Sequence, residues 1–191
     1  MRALNAAEKL GIVNIDTIFQ VGEEDQAKIA GADGKKEFSV EVKAPVEGKV
    51  IDLKDSGDRV FAMKALGEGA AVVPEAKKLN VVAPVAGNIT SIAASKHAYT
   101  LMTEDGVGVL IHIGIDTVKL GGKGFEVKAA EGEDVKAGDI LAEVDFASIK
   151  DAGYKIPVVV TVVNTNEMKN VNPKNVGQDI KELDTIVEVR G

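Results

Sequence analysis

The chain has 191 residues, 45% of them hydrophobic and 28% charged, enough apolar side chains to bury a core and too many for a chain disordered throughout. Its 23 Lys and Arg against 30 Asp and Glu give a net charge of −7, and aromatics are only 4%, so it lacks both the basic footprint and the stacking surface of a nucleic-acid binder. Cysteine is absent, which excludes disulfides, thiolate nucleophiles and cysteine-bound metals and fits a reducing compartment.

Residues 1–36 stand apart from the rest of the chain. A helical turn or two fits residues 3–10, and residues 22–36 form a polar run with Gly31 and Gly34, so the stretch reads as a tail or interdomain linker before a folded unit at 37–191. Met1-Arg2-Ala3-Leu4 lacks the basic-then-apolar pattern of a signal peptide, and no apolar run nears the ~18 residues of a membrane span, so a cytoplasmic location is expected. From Glu37 the pattern changes to short β-branched runs at 48–53, 81–85, 107–115, 140–144 and 157–163, broken by Gly, Asp, Asn and Pro. These predict an all-β fold, an antiparallel sandwich or barrel with little helix. The 20 glycines suit a fold of many turns and bulges.

An internal echo runs through this region. Ala44-Pro45-Val46-Glu47-Gly48-Lys49-Val50 recurs as Ala83-Pro84-Val85-Ala86-Gly87-Asn88-Ile89. Proline cannot donate to a central ladder and glycine permits a tight turn, so both copies are expected at a sheet edge or bend. Glu131-Gly132-Glu133-Asp134-Val135-Lys136-Ala137-Gly138-Asp139 predicts a turn feeding the strand at 140–144. Together these features favour a duplicated β motif.

Chemistry centres on two histidines, His97 and His112. Between them, Asp105-Gly106 is a strong hairpin signal, expected to form a two-residue type I′ turn. Glu104 then faces Val107, His97 lies opposite Gly114 and Tyr99 opposite His112. Alternation puts residues 97, 99, 112 and 114 on one face, with Val109, Ile111, Ile113 and Ile115 pointing into the core. The two imidazoles become diagonal neighbours, ~7–8 Å apart at the backbone, with a gap at Gly114. The same register carries Ser95 and Asp116 to that face, on which both rings are expected to lie open to a visiting protein. A single histidine in a strand is usually solvated or simply hydrogen-bonded; two converging on one face suit phosphoryl transfer, metal binding or general acid–base chemistry.

Ser95-Lys96-His97-Ala98, the run Gly106-Val107-Gly108-Val109-Leu110-Ile111-His112-Ile113-Gly114-Ile115-Asp116-Thr117-Val118 and the upstream Val60-Phe61-Ala62 resemble enzyme IIA of the glucose class in the bacterial sugar phosphotransferase system, over roughly residues 37–191. The resemblance implies an antiparallel β-sandwich and a transferase that needs no cofactor or metal. It also implies that His112 accepts a phosphoryl group from the histidine-containing phosphocarrier protein, that His97 supports it, and that the group passes to a cysteine on the IIB domain of a sugar permease, the protein meeting the membrane only through that permease. Ser95 stands where the family usually has threonine and retains a hydroxyl. Asp116 matches the family's acid near the site, with turn capping as its bland alternative. Phe61 and Leu66 match positions in the family's apolar collar and Leu110 and Val118 flank His112, the four together expected to dock partners, although each is also an ordinary core residue type. Ala93 is smaller than the family's usual residue there, which would weaken the collar.

Other classes compete. The Ala-Pro-Val-x-Gly repeats and Ala62-Met63-Lys64-Ala65 also resemble biotinyl and lipoyl carrier domains, in which Lys64 would be the acceptor, but this chain is about twice their length. A zinc peptidase on a related scaffold would want a His-x-His pair; position 114 is glycine and no third histidine exists. An accessory metal held by His97 and His112 with a partner's help is a further alternative.

Overall fold

The computed structural model describes residues 37–191. The helical turn and linker expected at 1–36 fall outside the described residues. Fourteen strands follow in order: β1 Ser39–Lys43, β2 Gly48–Ile51, β3 Glu68–Val73, β4 Lys78–Val82, β5 Gly87–Ile92, β6 Ala98–Met102, β7 Gly108–Ile115, β8 Phe125–Val127, β9 Asp134–Val135, β10 Ile140–Asp145, β11 Lys155–Val162, β12 Asn170–Pro173, β13 Asp179–Ile180 and β14 Thr185–Arg190. Two short helices intervene, α1 at Arg59–Ala62 and α2 at Phe146–Asp151. The expected all-β, antiparallel architecture is what forms: one eight-stranded sheet ordered β13-β2-β3-β11-β7-β6-β5-β9, with two three-stranded sheets, β1-β14-β12 and β4-β10-β8.

Each of the five apolar runs contributes to a strand, with differences at the ends. The run at 48–53 stops as a strand at Ile51, because Asp52 accepts from the Lys54 N–H and starts a 3-10 turn. The run at 81–85 contributes only the end of β4, since Pro84 cannot continue a ladder. β7 is buried on both faces, as its unbroken Gly-Val-Leu-Ile-His-Ile-Gly-Ile requires. On one face Val109, Ile111 and Ile113 enter the main core with Val158 and Val160 of β11. On the other, Leu110 joins Leu53, Phe61, Leu66, Ala98 and Val159 in a second apolar cluster.

The sequence echo extends into a two-fold relation. Ala44 N–H donates to the Asp184 carbonyl at 2.7 Å and, in the matching place, Ala83 N–H donates to the Asp139 carbonyl at 2.8 Å. Val50 N–H meets the Gln178 carbonyl and Ile89 N–H the Glu133 carbonyl, both at 2.9 Å. Lys181 N–H and Lys136 N–H each reach an aspartate three residues on, Asp184 and Asp139, at 2.8 Å. Thus residues 176–189 repeat 131–144, a likeness carried by Gly, Asp and Lys at the turns. At the centre β7 and β11 exchange roles about the pair Ile111 and Val160, which makes Thr161 the counterpart of His112.

The hairpin between the histidines differs from the expected one. Three residues, Glu104, Asp105 and Gly106, form the loop; Thr103 faces Val107, and only Gly106 has positive φ, 81°. A type I′ turn needs two such residues, and asparagine or glycine supplies them more easily than aspartate. The Thr103 hydroxyl takes the Val107 N–H at 3.0 Å, while Asn164 accepts from the Gly108 N–H and donates to the Gly106 carbonyl. This fixes the three-residue loop. The register moves by one residue: His112 faces Ala98, and Tyr99 faces Ile111 and points into the main core instead of sharing the histidine face.

Candidate functional site

The imidazoles still meet. Their ring centroids are 4.8 Å apart with planes at 83°. His112 is placed by β7, whereas His97 lies just before β6, after Lys96, whose φ is 62°. Strand alternation therefore does not govern His97. Its carbonyl is anchored by the Ile113 N–H at 2.7 Å. On another side the Phe61 ring lies 5.2 Å from that of His112. Asp58 accepts from the Val60 and Phe61 N–H groups and so caps α1, which holds Phe61 in place.

Gly114 organises the acceptor ring. Its φ of 71° turns its carbonyl back to His112 Nδ1 at 2.8 Å. A carbonyl only accepts, so the contact puts the ring proton on Nδ1, and a neutral His112 carries its lone pair on Nε2. The expected gap at Gly114 is filled: a Cβ there would stand 2.6 Å from Thr117 Cγ2 and 2.8 Å from the Lys155 carbonyl. The turn also ends the alternation, and Ile115 leaves the face of Ile113 to pack with Leu110 and Phe61. Thr117 is fully buried, and its hydroxyl donates to the Ile113 carbonyl at 2.6 Å. Sequence reasoning missed Thr117; a threonine four residues after a strand carbonyl was the available signal.

The surroundings differ from an open face. His97 is 0% and His112 1% exposed, contrary to the expectation of rings open to a visiting protein. Phe61, Leu66 and Leu110, expected as a partner-docking collar, are buried and packed with Leu53, Ala93, Ala98 and Val159. Val118 is half-buried. Ser95, half-buried, and Asp116, exposed, do not pair across strands as the extended register required, since β6 begins at Ala98 and β7 ends at Ile115. Asp116 adopts φ 61°, makes no capping hydrogen bond to the turn it precedes, and lies 3.6 Å from Lys119. Lys64, the alternative acceptor, follows α1 at φ 55° and bonds Glu68 at 2.7 Å, which raises its pKa. Among the described residues no cluster of three or more His, Asp or Glu is placed to hold a metal ion, and no helix is long and apolar enough to cross a membrane.

Known proteins resemble this chain in sequence and fold. A family model described as phosphoenolpyruvate-dependent sugar phosphotransferase system, EIIA 1, matches residues 40–168. The chain is 32% identical over 162 residues to the PTS system glucose-specific EIIA component of Staphylococcus epidermidis, covering 85% of this chain and 96% of that one. It is 42% identical over 142 residues to the PTS system glucose-specific EIICBA component of Streptococcus pneumoniae, covering 74% of this chain but only 19% of that longer protein. The solved structure of glucose permease IIA from Mycoplasma capricolum superposes with a TM-score of 0.68 at 32% identity, covering 79% of this chain and 96% of that one.

Proposed function

The chain belongs to the EIIA 1 family of the phosphoenolpyruvate-dependent sugar phosphotransferase system, and on that premise we propose that it relays a phosphoryl group through His112. Its role as a glucose-class EIIA phosphocarrier domain follows from the family. The donor in this reading is the phosphohistidine of the histidine-containing phosphocarrier protein and the acceptor a cysteine of a IIB domain, in the cytoplasm. The relatives whose names join components B and C to A in one chain support the IIB partner. The chain spans about a fifth of those relatives, so the sugar carried is theirs alone to name.

The observation that carries the choice of residue is the 2.8 Å bond from Nδ1 to the Gly114 carbonyl. It leaves Nε2 as the nucleophile: its lone pair forms the new N–P bond as the bonding pair of the donor's N–P bond returns to the donor ring. Transfer of this kind needs positioning and neutralisation of the equatorial oxygens more than covalent chemistry. His97, ring against ring with His112, is the group to donate to those oxygens, in a charge-assisted bond. Burial gives the cover a role. With His112 1% exposed, the donor must displace the packing around Phe61 before transfer, and that packing afterwards keeps water from the acid-labile N–P bond. Ser95 and Asp116 border the two histidines in sequence and are assigned supporting roles, while Phe61, Leu66, Leu110 and Val118 meet the partner once the cover opens.

Phosphoenolpyruvate with the two general phosphotransferase components should add one phosphoryl group, read as a single mass increment. His112→Ala should abolish it, and His97→Ala should accept the group but pass it on poorly. Undiminished labelling of His112→Ala would overturn the assignment. A biotin or lipoyl adduct on Lys64 in protein from its native host would favour the carrier alternative.

A further inference from the structure

We infer that Thr117 is a positioning residue for His112: its hydroxyl bond to the Ile113 carbonyl holds the left-handed bend at Gly114 that presents the Gly114 carbonyl to Nδ1, and thereby keeps the ring's lone pair on Nε2.

The two neutral tautomers of an imidazole are both accessible, and the partner of one nitrogen decides which is populated. Here that partner is a backbone carbonyl whose direction depends on one glycine. Glycine visits positive and negative φ about equally, so the value of 71° at Gly114 is imposed from outside the residue. Two groups impose it. The Lys155 carbonyl bounds one side of the bend, 2.8 Å from the site of a Cβ. Thr117 bounds the other, its methyl 2.6 Å from that point and its hydroxyl closing the 113–117 loop at 2.6 Å. Asp116, also left-handed at φ 61°, gives the following turn no side-chain cap. The hydroxyl of Thr117 thus ties this exit from β7 back onto the strand, beside the pairing of Ile115 with Lys155 of β11. Ile113 also donates its own N–H, in the preceding peptide unit, to the His97 carbonyl at 2.7 Å, so the residue that Thr117 holds is bonded to the backbone of His97 and is joined directly to His112.

The functional meaning rests on His112 being the phosphoryl acceptor, but control of the tautomer does not. The experiment uses the full, unphosphorylated chain labelled with nitrogen-15 and reads the long-range proton–nitrogen correlations of the His112 ring above its titration. The parent and Thr117→Ser, which keeps the hydroxyl, should show the pattern of a single Nδ1–H tautomer. Thr117→Val keeps the shape and removes the donor; it should show mixed or inverted tautomers, with phosphorylation slowed roughly tenfold or more. A folded Thr117→Val with the parent pattern overturns the inference, as does a mixed pattern in Thr117→Ser, which decides the matter alone if the valine variant does not fold. If the tautomer moves as expected but the parent accepts no phosphoryl group, the inference stands and the acceptor reading fails.

Discussion

The ring of Phe61 stands edge-on to that of His112, centroids 5.2 Å apart and planes at 63°, while His97 meets the same imidazole from another side at 4.8 Å. An aromatic contact of this kind contributes ~0.5–1.5 kcal/mol beyond its buried area. Moving Phe61 away from the ring would forfeit that contribution.

Phe61→Ala should open the site. Carbethoxylation of His112 by diethyl pyrocarbonate, followed by peptide mass mapping, is expected to be slow in the parent and about tenfold faster in the variant, the ratio expected if ~1.4 kcal/mol of closing contact is lost. Unfolding in urea should show a loss of about 3 kcal/mol, the usual cost of emptying a buried phenylalanine site. Equal modification rates would mean that Phe61 does not cover the ring.

Gly114→Ala should be among the most damaging single-methyl changes in the chain. The residue would have to keep a φ of 71° and place its Cβ 2.6 Å from Thr117 Cγ2 and 2.8 Å from the Lys155 carbonyl. The left-handed penalty and the overpacking together predict about 2–4 kcal/mol, measured by chemical denaturation. Gly106→Ala, also at positive φ but with open space around it, should lose only the conformational part, about 1–2 kcal/mol.

Tyr99→Phe should stabilise the protein. The Tyr99 hydroxyl is buried in the main core and finds no hydrogen-bond partner among the described residues, and burial pushes its pKa up. The raised value fixes the sign: folding is favoured fully below the ordinary tyrosine pKa near ~10, and the advantage is lost as pH climbs above it, because the unfolded phenol ionises first. Removing the hydroxyl should add about 1 kcal/mol at neutral pH and flatten the loss of stability above pH ~10, both readable from denaturation midpoints.

Much of this was legible from the residues. The apolar runs around Leu110 and Val160 located the two central strands because a strand buried on both faces has to be apolar throughout. The meeting of His97 and His112, by contrast, was expected from a two-residue hairpin that does not form, and arises because His97 lies outside β6 after the left-handed Lys96. The register was not legible. Asp105-Gly106 fits both a two-residue and a three-residue loop, and the choice was made by Thr103 and by the distant Asn164, whose bonds no local pattern announces. Burial of the site was hidden for a similar reason. Phe61 reads equally as collar or core, and only the packing of α1 over β7 decides between them.

The eight-stranded sheet ends at both margins in a strand of two residues, Asp179–Ile180 and Asp134–Val135. Margins so brief offer a stranger almost no bare backbone to zip onto, which guards against aggregation and closes off capture by strand addition.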